Sequence, residues 1–151
     1  MSTTTFVWAV TIGAGLSGAA LAAERGTPAE AKAMLDKAAA HYKAVGRKQA
    51  LADFNAKKAP FGDRDLYVFC LGPDLIEVAN GGFPSVVGTS ADAIKDAAGK
   101  PLGRQIWDVG SKGEGSVAYD WQSPVTKKTE HKVSFVRKVG DDVCGVGAYA
   151  Q

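Results

Sequence analysis

Several features that mark common classes of protein are scarce in this sequence. No block rich in Lys or Arg occurs and the formal net charge is only +2, so the basic surface that nucleic-acid binding requires is absent. The two histidines and two cysteines are too far apart in the sequence for the spacing of a zinc site. Neither a Gly-x-Ser-x-Gly elbow nor a P-loop is present. We therefore expect no catalytic activity and no cofactor.

The first residues differ from the rest of the chain. Residues 1–23 carry no charged side chain, and Ala20-Leu21-Ala22 fits the small-x-small pattern that signal peptidase recognises. We therefore predict a signal peptide, cleaved, over residues 1–22 and a single mature domain over residues 23–151, in the periplasm or secreted. The alternative is a retained membrane anchor, for which the apolar stretch of about 17 residues is short. No later stretch is apolar enough to cross a bilayer.

Two cysteines remain in the predicted mature domain. Cys70 and Cys144 both lie in apolar, strand-like runs. A disulfide between them would close a long loop and contribute about 4 kcal/mol, and an oxidising compartment permits it. The alternative is two buried thiols that fill core volume. We prefer the thiols, because neighbouring strands seldom meet disulfide geometry without strain.

The hydrophobic pattern changes from helical to strand-like along the chain. Thr27-Pro28-Ala29-Glu30 predicts a capped helix start, and Gly46 predicts its end. A shorter helix is predicted over residues 47–54, and another over residues 101–109. The predicted strands are residues 66–71, 75–79, 116–122, 132–139 and 142–150. Consecutive strands with hairpin-length links predict an α+β fold with a five-stranded antiparallel sheet.

Five segments, taken in order, resemble a known family. They are KAAAHYKAVGRKQALADFN, FGDRDLYVFCL, VVGTSADAIKDAAGKPL, GEGSVAYDWQSPVTKKTEHKVSFV and VCGVGAY. Together they resemble the single Cache domains of the second type, which are PAS-like small-molecule sensing modules of bacterial receptors. The resemblance implies a long N-terminal helix packed on one face of the sheet and a ligand pocket on the other face. Similar domains commonly bind small organic acids such as acetate, pyruvate or lactate-like molecules.

The sequence departs from the family's pattern at two places. Asn80 stands where the family often has the histidine of an Ala-His-Pro run, so the position keeps a hydrogen-bond donor but cannot become cationic near neutral pH. Phe135 stands where the tyrosine of a Lys-x-x-Tyr pattern is usual, so one hydroxyl contact is missing.

Side chains near the last strands offer a candidate ligand site. Strand alternation places Tyr119 and Trp121 on one face, where their polar tips can contact a bound oxygen atom. Lys132 is the candidate for neutralising a carboxylate, because a buried lysine implies an anionic partner. Strict alternation puts Lys132 and Phe135 on opposite faces, so both line one pocket only if the strand entry is irregular. The predicted ligand-binding residues are Tyr67, Phe69, Asn80, Trp107, Tyr119, Trp121, Lys132 and Phe135.

Each of these residues also has a plainer interpretation. The aromatic side chains fit ordinary core packing, and Lys132 fits a solvated edge beside Lys127 and Lys128. Arg64 and Asp65 are better explained by an ion pair and by a capping role than by ligand binding.

Two functions follow from this reading. The first is a periplasmic domain that binds and senses a small organic anion. The alternative is a protein-interaction module, in which a membrane receptor or a second copy docks on the helix 30–45. Ala33, Ala40 and Ala44 would then form its outward face.

Overall fold

The computed structural model describes residues 25–150. The predicted signal peptide, residues 1–22, and its cleavage lie outside the described residues. In the described part, no helix combines the length and apolarity that a membrane span needs.

The fold begins with two consecutive helices, α1 (Pro28–Val45) and α2 (Arg47–Asn55). Thr27 accepts a hydrogen bond from the backbone of Glu30, and the Glu30 side chain bonds back to the Thr27 backbone, which confirms the predicted capping box. Gly46 has a φ of 84° and separates the two helices. This conformation is open to glycine and strained for other residues, so the predicted end of α1 is confirmed.

The remaining elements form an antiparallel sheet with a third helix. The strands are β1 (Gly62–Asp63), β2 (Leu66–Leu71), β3 (Glu77–Asn80), β4 (Glu114–Gln122), β5 (Thr129–Val139) and β6 (Asp142–Tyr149). The order is β1-β2-β6-β5-β4, with β3 paired to β2, and every pair is antiparallel. The five predicted strands are all present, and the two-residue β1 is an addition. The predicted α+β fold is confirmed.

The sheet separates two hydrophobic cores. On one face, α1 and α2 pack against alternate residues of β2 and β6, such as Val68 and Val146. On the other face, Tyr67 and Phe69 of β2 pack beneath residues 81–110, which we call the covering segment. This segment contains a single 3₁₀ turn (Pro84–Val86) and α3 (Gly103–Gly110), close to the helix predicted at 101–109. The pocket that the resemblance implies, on the sheet face away from the long helix, would lie under the covering segment.

A disulfide joins the two central strands. Cys70 of β2 pairs directly with Cys144 of β6, and their Cα atoms are 4.0 Å apart. The preference for free thiols was wrong, because the antiparallel register places the two residues opposite each other on the same face. That register cannot be obtained from the spacing of the cysteines in the sequence.

An irregularity in β3 matters for the site. The pairing between β2 and β3 shifts between Cys70 and Leu71, so that Asn80 lies opposite Phe69 and Glu77 lies opposite Leu71. Regular alternation would put residues 77 and 80 on different faces. The shift instead brings both polar side chains to the face beneath the covering segment.

Candidate functional site

A small cavity lies between the sheet and the covering segment. Its lining comprises Tyr67, Phe69, Glu77, Asn80, Val86, Ile94, Leu102, Ile106, Tyr119 and Trp121. Its volume is about 20 Å³, which is room for about one water molecule. The cavity is therefore nearly closed in this conformation, and a larger occupant requires its walls to move apart.

Five of the eight predicted site residues line this cavity. They are Tyr67, Phe69, Asn80, Tyr119 and Trp121. Trp107 is half-buried and packs into the core on the same face, but it does not reach the cavity wall. The structure thus collects most of the predicted residues in one place, on three different strands.

Aromatic rings form one continuous side of the cavity. Phe83 of the covering segment contacts Tyr67 edge-on, with ring centroids 5.8 Å apart, and contacts Trp121 in the same way at 5.9 Å. Tyr119 and Trp121 are 6.1 Å apart. Edge-to-face contacts at these distances are a favoured arrangement of aromatic pairs. Phe83 and Trp121 are partly exposed, so this group of rings reaches the solvent.

Lys132 lies behind this wall and is 1% exposed. Its Nζ donates a hydrogen bond of 2.8 Å to Tyr67 Oη. Four rings surround the ammonium group, with centroid distances of 4.1 Å for Tyr67, 5.0 Å for Tyr149, 5.9 Å for Phe69 and 6.0 Å for Tyr119. The plainer expectation, a solvated edge lysine, is wrong. The residue is inward, as an anion-binding role requires.

No carboxylate within residues 25–150 forms an ion pair with Lys132. Burial lowers the pKa of Lys132 to about 7, and the more distant Asp65 and Glu77 oppose this effect only partly. Aromatic rings stabilise a cation by their negative faces, but they do not neutralise its charge. A bound anion would supply the missing negative charge and restore the pKa of the lysine toward its ordinary value.

The sequence makes room for this lysine with a glycine. Lys132 pairs across the sheet with Tyr119 on β4 and with Tyr149 on β6. A Cβ added at Gly147 would lie 2.1 Å from Lys132 Cε and 2.4 Å from Ser134 Oγ. The lysine side chain therefore crosses the backbone of β6 at Gly147 to reach Tyr67. Sequence reasoning missed Gly147, because its role depends on the pairing of β5 with β6.

The other tyrosine hydroxyls near the cavity have fixed partners. Tyr119 Oη and Ser134 Oγ share a hydrogen bond of 2.7 Å, and Tyr149 Oη donates to the Gln122 carbonyl at 2.7 Å. Burial raises the pKa of Tyr67, Tyr119 and Tyr149. These hydroxyls stay protonated and act as hydrogen-bond donors and acceptors rather than as charges.

Glu77 is a cavity residue that sequence reasoning missed. It is 5% exposed, and burial raises its pKa to about 7. Asn80 Nδ2 donates a 2.8 Å hydrogen bond to Glu77 Oε1, while Asn80 Oδ1 accepts from the backbones of Gly82 and Phe83. The available signal was a single charged residue inside the apolar run Leu75-Ile76-Glu77-Val78-Ala79.

Phe135 does not belong to this site, so its predicted position is wrong. It lies on the opposite face of β5, where it packs against the core beneath α1. The Lys32 ammonium group is 4.7 Å from its ring centroid. Strand alternation explains the difference, because residues 132 and 135 of a regular strand face opposite sides. A larger groove of about 430 Å³ runs beside Phe135, between α1 and the strands β4 and β5.

Two further residues have the structural roles that the sequence favoured. Arg64 forms ion pairs with Asp63 and Glu30 at 2.8 Å. Asp65 Oδ1 accepts a 2.6 Å hydrogen bond from the backbone of Gly26, which ties the chain before α1 to the start of β2. Neither residue lines the cavity.

The family of the chain follows from its similarity to known proteins. The model of the family described as "Single Cache domain 2" matches residues 29–150. No curated protein is similar enough in sequence to count as a relative.

Solved structures share the fold at low sequence identity. A methyl-accepting chemotaxis protein from Vibrio parahaemolyticus is 22% identical, with a TM-score of 0.66 over 80% of this chain and 86% of that one. A Cache chemosensory domain described for carboxylic acid recognition is 21% identical, with a TM-score of 0.58 over 79% and 85%. A periplasmic sensor domain of a chemotaxis protein is 21% identical, with a TM-score of 0.59 over 91% and 100%. Since the family model covers most of the sequence and the fold agrees with it, the chain belongs to the single Cache domains of the second type.

Proposed function

We propose that this protein is an extracytoplasmic sensing domain that binds a small organic anion in the cavity beneath the covering segment. The observation that carries the proposal is the buried Lys132, which has no ion-pair partner among residues 25–150 and lies against the cavity wall. Burying a lysine costs free energy unless its charge is balanced. A carboxylate bound at Tyr67 and Lys132 provides that balance.

Binding requires the cavity to enlarge. A volume of about 20 Å³ holds one water molecule, whereas even a two-carbon acid needs several times that space. The partly exposed Val86 and Trp121, with Phe83 packed edge-on against Trp121, form the side that moves, because the opposite side consists of central strands. Displacement of the covering segment is then the structural change by which binding is signalled to a partner.

Other findings agree with this proposal. One solved relative is described as a domain that recognises carboxylic acids, and another as a periplasmic sensor. The Cys70–Cys144 disulfide suits an oxidising compartment such as the periplasm or the extracellular space. Export by the predicted signal peptide would bring the protein there.

The proposed function involves no catalysis. His41 bonds to Asp53 on the helical side of the sheet, and His131 is exposed next to Asp120. Neither histidine lines the cavity, and Ser123 is held in a turn by hydrogen bonds from the backbones of Val125 and Thr126. Residues 25–150 contain no cluster of three His, Cys, Asp or Glu that would hold a metal ion.

The test is a thermal-shift screen of the purified protein against short mono- and dicarboxylates, followed by calorimetry on those that bind. A true ligand at a hundredfold excess over its Kd stabilises the folded state by about 2.7 kcal/mol. Lys132→Met should abolish this stabilisation. Lys138→Met is the matched control, because Lys138 is exposed on the same strand. A flat response of the wild type across the panel would contradict the proposal, and so would full binding by Lys132→Met.

A second candidate function is docking of a membrane receptor or a second copy on α1. Ala33, Ala40 and Ala44 are all exposed, and Val45 beside them is 42% exposed. Small exposed side chains allow close approach of another helix. Light scattering of the purified protein with and without a bound acid tests this candidate. A monomer at all concentrations would exclude self-association.

A further inference from the structure

The cavity wall carries one charged side chain, and it is acidic. Glu77 is the only Asp, Glu, Lys or Arg among the lining residues, while the positive charge of Lys132 lies behind Tyr67. A simple carboxylate anion would therefore share the cavity with a second carboxyl group. The charged form of Glu77 would repel the bound carboxylate strongly, because water screens charges poorly in a buried site. A ligand that carries only a negative charge therefore does not explain the presence of Glu77.

The orientation of Glu77 is fixed. Asn80 Oδ1 accepts hydrogen bonds from the backbones of Gly82 at 3.1 Å and Phe83 at 2.7 Å. The amide nitrogen of Asn80 is thereby directed at Glu77 Oε1. The second carboxyl oxygen, Oε2, has no hydrogen-bond partner among residues 25–150. Glu77 lines the cavity and its Oε2 is not fully buried, so this oxygen can accept a hydrogen bond from a donor that the protein itself does not supply.

Lys132 does not supply that donor. Its ammonium group bonds to Tyr67 Oη and forms no ion pair with Glu77 within 4.0 Å. The other cavity-lining residues of β2 and of the covering segment carry no charged side chain: Tyr67, Phe69, Val86, Ile94, Leu102 and Ile106. The site thus has a cation at Tyr67 and an acid at Glu77 whose Oε2 accepts no hydrogen bond within residues 25–150.

We propose that the natural ligand is a small amino acid, whose carboxylate binds at Tyr67 and Lys132 and whose ammonium group binds at Glu77 Oε2. This inference rests on the proposed function, because it assigns the second half of the same site. Each charge of a zwitterion then meets an opposite charge of the protein, so Lys132 and Glu77 each gain the counter-ion that they lack among residues 25–150. The near-neutral pKa of Glu77 agrees with this arrangement, because a bound ammonium group readily brings the carboxyl to its charged form.

Four acids with three carbons test the proposal: alanine, β-alanine, lactate and propionate. They share a carboxylate and differ in whether an ammonium group, a hydroxyl group or a hydrogen atom is attached. Calorimetry of the wild type should give alanine or β-alanine at least a tenfold lower Kd than propionate, since a charge-assisted hydrogen bond in a buried site is among the stronger polar contacts. Equal affinity for all four acids, or a preference for propionate, overturns the proposal without any variant being needed.

Glu77→Gln then assigns the preference to the residue. Glutamine keeps the acceptor oxygen for Asn80 and removes the charge, so propionate should bind as tightly as before or more tightly, and the advantage of the amino acid should fall below threefold. Glu114→Gln is the control, because Glu114 is exposed on β4. An unchanged preference in Glu77→Gln overturns the proposal.

The two proposals fail in different ways. If propionate and lactate bind but neither amino acid has an advantage, the organic-anion function stands and the amino-acid assignment is wrong. If none of the four acids binds and the wider carboxylate panel is also flat, the organic-anion function fails and takes the assignment with it.

Discussion

Replacing Lys132 by methionine should make the protein more stable while it removes anion binding. Methionine has nearly the same length and volume, and it fills the same path across Gly147 without a charge. The lysine is 1% exposed and has no ion-pair partner among residues 25–150, so its charge is costly in the absence of ligand. A residue retained at a cost in stability is characteristic of a functional site.

The magnitude follows from the pKa of the lysine. Its pKa falls from 10.5 to about 7 on folding, and a tenfold change in proton affinity corresponds to about 1.4 kcal/mol. The cost of the buried lysine at pH 7 is therefore on the order of 4 kcal/mol. The lost contacts with four aromatic rings and with Tyr67 offset part of this gain. We expect a net stabilisation of about 2 kcal/mol, or roughly 7 °C in Tm for a domain of this size.

Urea unfolding at pH 7 measures this effect, with the fluorescence of Trp107 and Trp121 as the signal. The Lys132→Met midpoint should rise at an unchanged slope, and the exposed-site control Lys138→Met should stay within about 0.5 kcal/mol of the wild type. A loss of 1 kcal/mol or more in Lys132→Met would contradict this prediction, because it would show that the lysine stabilises the free protein.

Three further predictions concern the same sheet. In Gly147→Ala, the new methyl group occupies the path of Lys132. This substitution should lower the free energy of unfolding by about 1–3 kcal/mol in a urea titration and weaken anion binding at least tenfold. Unchanged affinity would contradict this prediction. Lys132, with a pKa of about 7, loses its proton as the pH rises from 7 to 9. The affinity of the wild type for propionate should therefore fall over this range, approaching tenfold per pH unit from Lys132 alone. A flat calorimetric profile would argue against a role for the lysine's charge. Replacing both Cys70 and Cys144 by alanine should destabilise the protein by about 4 kcal/mol, since the disulfide closes a loop with a sequence separation of 74; a loss below 1 kcal/mol in thermal or urea melts would be inconsistent with this estimate.

Local signals in the sequence were sufficient to predict most of the fold. The Thr27–Glu30 capping box and Gly46 set the bounds of α1, and the hairpin-length links predicted the antiparallel pairing of consecutive strands such as β5 and β6. These predictions succeeded because caps and turns depend on residues close together in the sequence.

Predictions that depended on register were less successful. Cys70 and Cys144 face each other because of how β2 pairs with β6, and Glu77 enters the cavity because of a shift in the pairing of β2 with β3. Pairing between distant strands is set by the packing of the whole sheet, so no single segment encodes it.

In the candidate site, too, predictions from local pattern succeeded and others did not. Alternation alone correctly placed Tyr119 and Trp121 together and separated Lys132 from Phe135. The error at Phe135 came from carrying over a family position against the alternation of the strand. Family resemblance pointed to the face away from α1, where the cavity lies, whereas the side chains of this sequence determine which residues reach that cavity.

A crystal structure of the wild-type protein, grown with the acid that binds it most tightly, would show where the anion binds. We predict that the carboxylate lies beneath the covering segment, with an oxygen atom about 2.7–3.2 Å from Tyr67 Oη or Lys132 Nζ and with Trp121 displaced outward. An acid bound in the groove beside Phe135, or a cavity that stays closed at saturating ligand, would contradict the central claim.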